Sequence, residues 1–202
     1  IPPYDVLSNE APIRILTKKT WHCNYFQLFE NFADPAHAAI LHESLDIKDG
    51  FSGIHKIEPV ITEHGLGVTA HREEHEQQRT DVVFPTAGRF IIPLPDLATD
   101  ALFWYLPVND ELTISYQIVV PRDITDENKQ DKLKKLEFFL YKNGIDSIDH
   151  SDPIGDQDSF AQESQGTIAR RDLENLGESD IAIVALRKLY FEGFKDVAEG
   201  KP

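Results

Sequence analysis

The sequence predicts an α+β fold, an antiparallel sheet with helices lying across it. Short stretches of alternating apolar and polar residues fill the middle of the chain, a tight turn joins the last two, and helical periodicity appears before and after them. With 202 residues the chain is expected to form a single domain, 1–202. A chain of that length buries roughly 70% of its unfolded surface, so the core needs no covalent staple.

Tyr25, Leu28, Phe29, Phe32 and Ala36 recur at i, i+3, i+4, i+7 and i+11, which predicts an amphipathic helix. Its other side carries Asn24, Gln27, Asn31 and Asp34, a polar stripe. Strands are expected over Ile54–Thr62, Leu66–Ala70, Val82–Phe84, Arg89–Pro93, Ala101–Val108 and Glu111–Val120, with Asn109-Asp110 as a hairpin turn. In the last strand Thr113, Ser115 and Gln117 alternate with Ile114, Tyr116 and Ile118, giving one polar and one apolar face. A helix is expected from about Asp126 to Lys142, with Leu133, Leu136 and Leu140 inward and Gly144 as its stop. The acidic stretch Gly144–Gln157 reads as loop. Two helices close the chain, Ser159–Arg171 and Ser179–Phe194, the second with Ile181, Val184, Ala185 and Leu189 inward.

The net charge of −15 argues against nucleic acid, whose phosphates require clustered Lys and Arg, and against an anionic membrane surface. No apolar run approaches the ~18 residues that span a bilayer, and no signal peptide is recognisable. The single cysteine, Cys23, excludes an internal disulfide framework and suits a reducing, cytoplasmic setting.

Chemistry concentrates in Glu30-Asn31-Phe32-Ala33-Asp34-Pro35-Ala36-His37-Ala38-Ala39-Ile40-Leu41-His42. Two imidazoles in apolar surroundings each need a partner, and a shared metal ion is one such partner. His37 and His42 supply two of the three ligands of a two-histidine, one-carboxylate facial triad, which holds non-haem Fe(II) and leaves positions open for dioxygen. Five residues apart, they would lie on different faces of a straight helix. Asp34-Pro35 reads as an N-cap followed by proline at the first helical position, so a fresh helix starts there. Either a π-type widening or an unwinding after Leu41 is then needed to bring His42 round.

These residues resemble the iron-binding segment of the catalytic domain of Rieske-type non-haem iron oxygenases, the ring-hydroxylating and demethylating enzymes. A second motif far downstream, Gln157-Asp158-Ser159-Phe160-Ala161-Gln162-Glu163-Ser164-Gln165-Gly166, resembles the family's third-ligand segment. Asp81-Val82-Val83-Phe84-Pro85, Trp104-Tyr105-Leu106-Pro107-Val108-Asn109-Asp110, Ile168-Ala169-Arg170-Arg171 and Leu176-Gly177-Glu178-Ser179-Asp180 continue the likeness, which runs from about Trp21 to Val197. The resemblance implies a helix-grip (START-like) fold, a curved antiparallel sheet wrapped on a long C-terminal helix, of the phthalate and vanillate-demethylase branch. It implies mononuclear Fe(II) on His37, His42 and Asp158, with Asp156 a competitor for the third place. It implies that Asp34 links a metal histidine to a cluster histidine of the neighbouring subunit, in a head-to-tail homotrimer, and that Asn31 faces the iron. The implied reaction uses O2 on a small aromatic substrate, with electrons from a Rieske [2Fe-2S] domain served by a ferredoxin or reductase. Such a cluster takes two cysteines and two histidines, and one cysteine cannot hold it. The chain also starts at Ile1 and contains no methionine, so a fragment is expected, with 1–20 a linker from an N-terminal cluster domain.

The same residues admit rival readings. His37 and His42 could be hydrogen-bonded core histidines, and Asp158 could cap a following helix. A metal-free module binding an apolar small molecule in the same fold is the alternative function. His71-Arg72-Glu73-Glu74-His75 fits the zinc-hydrolase pattern HxxEH, but it follows a strand and reads as a solvated strand end. Gly65-Leu66-Gly67-Val68-Thr69-Ala70 fits a dinucleotide fingerprint without the βαβ unit that would support it. Cys23, beside Trp21, reads as packing. Trp104, Tyr105, Phe103, Phe90 and Phe160 are candidates for an aromatic pocket, and Arg89 or Arg79 for binding an acid group.

Overall fold

The computed structural model describes residues 14–42, 53–72, 78–94, 97–122 and 153–201, with 4, 7, 124–125, 127–131 and 133–134 besides. The elements are β1 (Ile15–Trp21), α1 (Tyr25–Phe32), α2 (Pro35–Leu41), β2 (Ile54–Thr62), β3 (Gly65–Arg72), β4 (Gln78–Val83), β5 (Ala87–Leu94), β6 (Leu97–Asn109), β7 (Leu112–Pro121), α3 (Pro153–Glu163) and α4 (Ile181–Ala198). Strands β2 to β7 form an antiparallel meander, and β1 pairs with β7, giving the order β1-β7-β6-β5-β4-β3-β2. Because β1 and β2 sit at opposite edges, the chain between them must cross about 29 Å of sheet. It does so carrying α1 and α2, which is what lays these helices over one face. The α+β expectation is met.

Strand parity decides which residues meet the helices. Leu66, Val68, Val82, Phe103 and Tyr105 point to the helical layer and pack with Phe29, Phe32, Ala182, Leu186 and Tyr190. The Tyr190 ring stands edge-on to Phe26 and Phe84, centroids 4.7 Å away in each case. Gly88 is required where Phe32 lies on β5: a Cβ there would come within 3.0 Å of the Phe32 ring. Trp21 Nε1 donates to Ser115 Oγ at 2.8 Å, tying β1 to β7 within the core. Buried Glu30 is clamped between Arg187 of α4, at 2.5 Å, and Arg171, at 2.8 Å, so α1 and α4 are joined by charge as well as packing.

Several expectations are corrected. The stretch expected as linker, 1–20, contributes Ile15–Thr20 to the sheet; along this edge strand Leu16, Lys18 and Thr20 face solvent, while Lys19 turns inward over the Trp21 ring. Strand β4 begins at Gln78 rather than Val82, and β6 extends back to Leu97. Pro153–Gln157, read as loop, is the first half of α3, and α3 ends at Glu163 instead of continuing to Arg171, which starts a short 3-10 turn. Helix α4 buries Ala182, Leu186 and Tyr190, while Ile181 and Val184 are about half exposed. The inward face is therefore rotated from the expected one, although Ala185 and Leu189 still touch the core. Residues 129–131 and 133–134 are helical, as expected there; Leu136, Leu140 and Lys142 lie outside the described residues.

Candidate metal centre

The local sequence builds the site around a broken helix. Proline cannot continue α1, and Asp34 caps the new start: its Oδ1 accepts from Ala36 N at 3.1 Å and His37 N at 3.2 Å. Helix α2 then lasts seven residues, and His42 leaves the helical conformation at φ −96°, ψ 12° as its C-cap. That unwinding after Leu41 brings the two imidazoles together, ring centroids 5.8 Å apart and planes at 77°.

The third group arrives from α3. That helix is seated by long-range bonds: Lys19 Nζ to Gly155 O at 2.8 Å, His22 N to Glu163 Oε1 at 2.8 Å, and buried Gln27 Nε2 to Gln162 O at 3.1 Å. Within the polar stripe Gln27 thus reaches the segment that carries Asp158, while Asp34 contacts His37 directly. Asp158 Oδ1 lies 3.7 Å from His37 Nε2 and 3.5 Å from His42 Nε2, and one donor atom from each residue lies within 4.8 Å of the others. Those separations are too long for hydrogen bonds and leave room for an ion at about 2 Å from each donor. Asp158 sits inside α3, so it is not the helix cap of the rival reading. Asp156 is exposed.

Two observations test whether a cation fits. Asp158 Oδ1 is buried without a hydrogen-bond partner, a costly state that a bound cation relieves. The outer nitrogens of both rings are also occupied. His37 Nδ1 donates to the Asp34 carbonyl, and His42 Nδ1 donates to Gln157 Oε1 at 2.8 Å. With Nδ1 carrying the proton, each Nε2 presents a lone pair toward Asp158. The donor set, two neutral imidazoles and one carboxylate, matches that expected for non-haem iron.

The Asp34 carboxylate, at 3.9 Å from His37 Nδ1, approaches the ring less closely than its own backbone carbonyl does. Burial raises its pKa above the ordinary carboxylate value, against the opposing pull of His37. Asn31 is half-buried on α1, and its side chain makes no hydrogen bond to His37, His42 or Asp158. Tyr105 of β6 lies beneath the site; burial first, and then the charge of Asp158, hold its phenol well above the ordinary range. Gln157, the acceptor for His42, carries no assigned role in the second motif, and its place one residue before Asp158 is the signal in the sequence that points to it.

The rival sites fare differently. His71 is on β3, where its Nε2 donates to Glu58 Oε2 at 2.8 Å, so the first half of HxxEH is strand and not the helix a zinc hydrolase needs; His75 lies outside the described residues. Gly65 and Gly67 are strand residues, and the strand runs on to Arg72 where the fingerprint needs a helix. Burial pushes the Cys23 thiol up to about 11, with Glu163 adding to the effect, which leaves it unfit as a nucleophile. Phe103 and Tyr105 pack on Phe32, Trp104 belongs to a cluster on the opposite face, and Phe160 is 75% exposed. Arg89 is committed to Asp100, and Arg79 is an exposed partner of Asp81.

The fold defines a structural class. The architecture is the α+β helix-grip fold of the catalytic domains of Rieske-type oxygenases, and the resemblance drawn from the two motifs is borne out. The chain is 24% identical over 208 residues to the 5,5'-dehydrodivanillate O-demethylase oxygenase subunit of Sphingobium sp. (strain NBRC 103272 / SYK-6). That alignment covers 100% of this chain and 48% of the relative, so the chain spans about half the length of the curated relative it matches. Among solved structures, a Pseudomonas putida CBB5 NdmA mutant with caffeine superposes with a TM-score of 0.69 at 13% identity, over 100% of this chain and 56% of that one. The terminal oxygenase of carbazole 1,9a-dioxygenase from Nocardioides aromaticivorans IC177 gives 0.61 at 18% identity, over 94% and 59%. Dicamba monooxygenase bound to 3,6-dichlorosalicylic acid gives 0.62 at 13%, over 95% and 62%. No family model matches. None of the described helices is long and apolar enough to cross a membrane.

Proposed function

We propose that residues 1–202 are a single catalytic domain of an O2-dependent non-haem iron oxygenase that hydroxylates or oxidatively demethylates a small aromatic compound. His37, His42 and Asp158 are its ligands. The observation that carries this reading is the convergence of two Nε2 lone pairs on a buried, unpartnered carboxylate oxygen. Iron(II) held there would supply the redox chemistry by which dioxygen is reduced and oxygen enters the substrate.

The chain's own contribution is preorganisation. The Asp34 carbonyl and the Gln157 amide fix both imidazole tautomers before any ion arrives. The electrons come from a Rieske [2Fe-2S] domain of a neighbouring subunit in a homotrimer, itself served by a ferredoxin or reductase. Asp34 links His37 with that cluster, a role its one-quarter-exposed side chain beside His37 supports, and Asn31 completes the polar lining from α1. The demethylase and oxygenase relatives favour this over a metal-free binding module.

Iron content of anaerobically purified protein, reconstituted with Fe(II), tests the proposal. About one iron per chain, lost in His37→Ala, is expected. A chain that takes up no iron after reconstitution, or a variant that binds it equally, would overturn the ligand assignment.

A further inference from the structure

Resting on the proposed function, a second polar group in the helical layer speaks to the substrate. Gln78 opens β4 and pairs with Ala70 of β3, four residues from Val82, whose side chain shares its face and belongs to the core under α1. Gln78 is 1% exposed, and neither Nε2 nor Oε1 of its amide has a hydrogen-bond partner. A buried amide with both ends unpaired is rare, because each missing bond costs the desolvation of that group. Replacement by an apolar residue would remove the cost, so a stability argument cannot explain a glutamine there.

The surroundings suit a flat ring. Ala70 stands opposite Gln78; Thr80 follows it on the same face and pairs with Phe90, which pairs in turn with Ala101. Ala70, Thr80 and Ala101 are buried, and Phe90 packs against the edge of the aromatic core beneath α1. Short side chains thus stand beside one aromatic edge, and the buried Gln78 amide offers one donor and one acceptor among them.

We propose that Gln78 is the specificity-determining residue of the substrate site, its amide receiving a ring substituent that both donates and accepts a hydrogen bond, as a phenolic hydroxyl does. Such a site rejects a ring carrying a methyl group at that position, because the amide would stay unpaired.

Phenol and toluene are the probes, equal in shape and differing only in that group. Toluene is the more apolar, so burial alone would favour it. Calorimetry on the metal-free chain should show phenol bound about tenfold more tightly, the worth of two ordinary hydrogen bonds. In Gln78→Met the preference should vanish, and the variant should melt roughly 2–8 °C higher. Wild-type protein that prefers toluene, or binds neither probe, would overturn the proposal, as would a variant that keeps the phenol preference or melts lower. Both readouts are made without metal, so their failure leaves the iron assignment standing, and failure of iron uptake leaves them unaffected.

Discussion

Gln157 is the cheapest point at which to test how the histidines are set. Its Oε1 accepts from His42 Nδ1 at 2.8 Å, and His42 is 3% exposed, so no bulk water stands ready to replace that acceptor. In Gln157→Leu the ring loses this bond. The tautomer that keeps Nε2 free then carries a buried N–H without it, at a cost of roughly 1–3 kcal/mol. The other tautomer points Nε2–H toward Asp158 Oδ1, 3.5 Å away, and gives up the lone pair that a metal needs. The metal-free ring therefore shifts toward this second tautomer, and restoring the first on metal binding costs up to the same sum, about ten- to a hundredfold in affinity. Anaerobic calorimetric titration with Fe(II) should show unchanged stoichiometry and this weaker affinity for Gln157→Leu, with most of it restored in Gln157→Glu, which keeps an acceptor oxygen. Nitrogen NMR of the metal-free protein should report a larger share of the Nε2–H tautomer in the leucine variant. Affinity within twofold of wild type would refute the idea that the tautomer is preset from outside the metal shell.

Two further outcomes concern the frame. Burial would raise the Asp100 carboxyl, but hydrogen bonds from Arg89 and Arg122 outweigh it and hold the group below its ordinary value. Its stabilising contribution is therefore complete above the ordinary carboxylate range and is lost as pH falls below about 4; Asp100→Asn should lower the urea midpoint at pH 7 and flatten its fall between pH 5 and 3. Arg187→Met removes the guanidinium that spans Glu30 and Glu174, leaving Glu30 with Arg171 alone in a buried position. A loss of about 2–4 kcal/mol in chemical denaturation is expected, and Arg187→Lys should recover little of it, because an ammonium cannot fork between two carboxylates.

What the sequence revealed, it revealed where a local rule suffices. Asp34-Pro35 dictates a helix start wherever it falls, and the strained five-residue spacing of His37 and His42 demanded the unwinding that is found after Leu41. What it concealed depended on partners elsewhere. Pro153–Gln157 is acidic and polar, and it becomes helix because Lys19, Gln27 and His42 bond to the α3 segment across the fold. Helix α4 carries apolar residues on nearly every side, so periodicity could not say that Ala182, Leu186 and Tyr190 face the sheet while Ile181 and Val184 face outward. Gln78 ends a run of Glu and Gln that reads as solvated surface, yet its strand register turns it inward. Composition reports the average environment of a segment, and here the decisive residue departs from that average.

Asp158 and Gln78 share one physical property: each holds a buried polar atom for which the described protein offers no partner. A fold selected for stability alone would not keep such atoms, since apolar replacements are easily found. Both become favourable when something binds, a cation at one and a polar ring substituent at the other. Each ligand should therefore raise the chain's melting temperature by an amount set by its concentration relative to its dissociation constant. Because the two groups lie on separate elements, α3 and β4, and share no partner among the described residues, the two stabilisations should add. Coupling between them would require that the ion and the ring touch, so departure from additivity measures how closely the substrate approaches the metal.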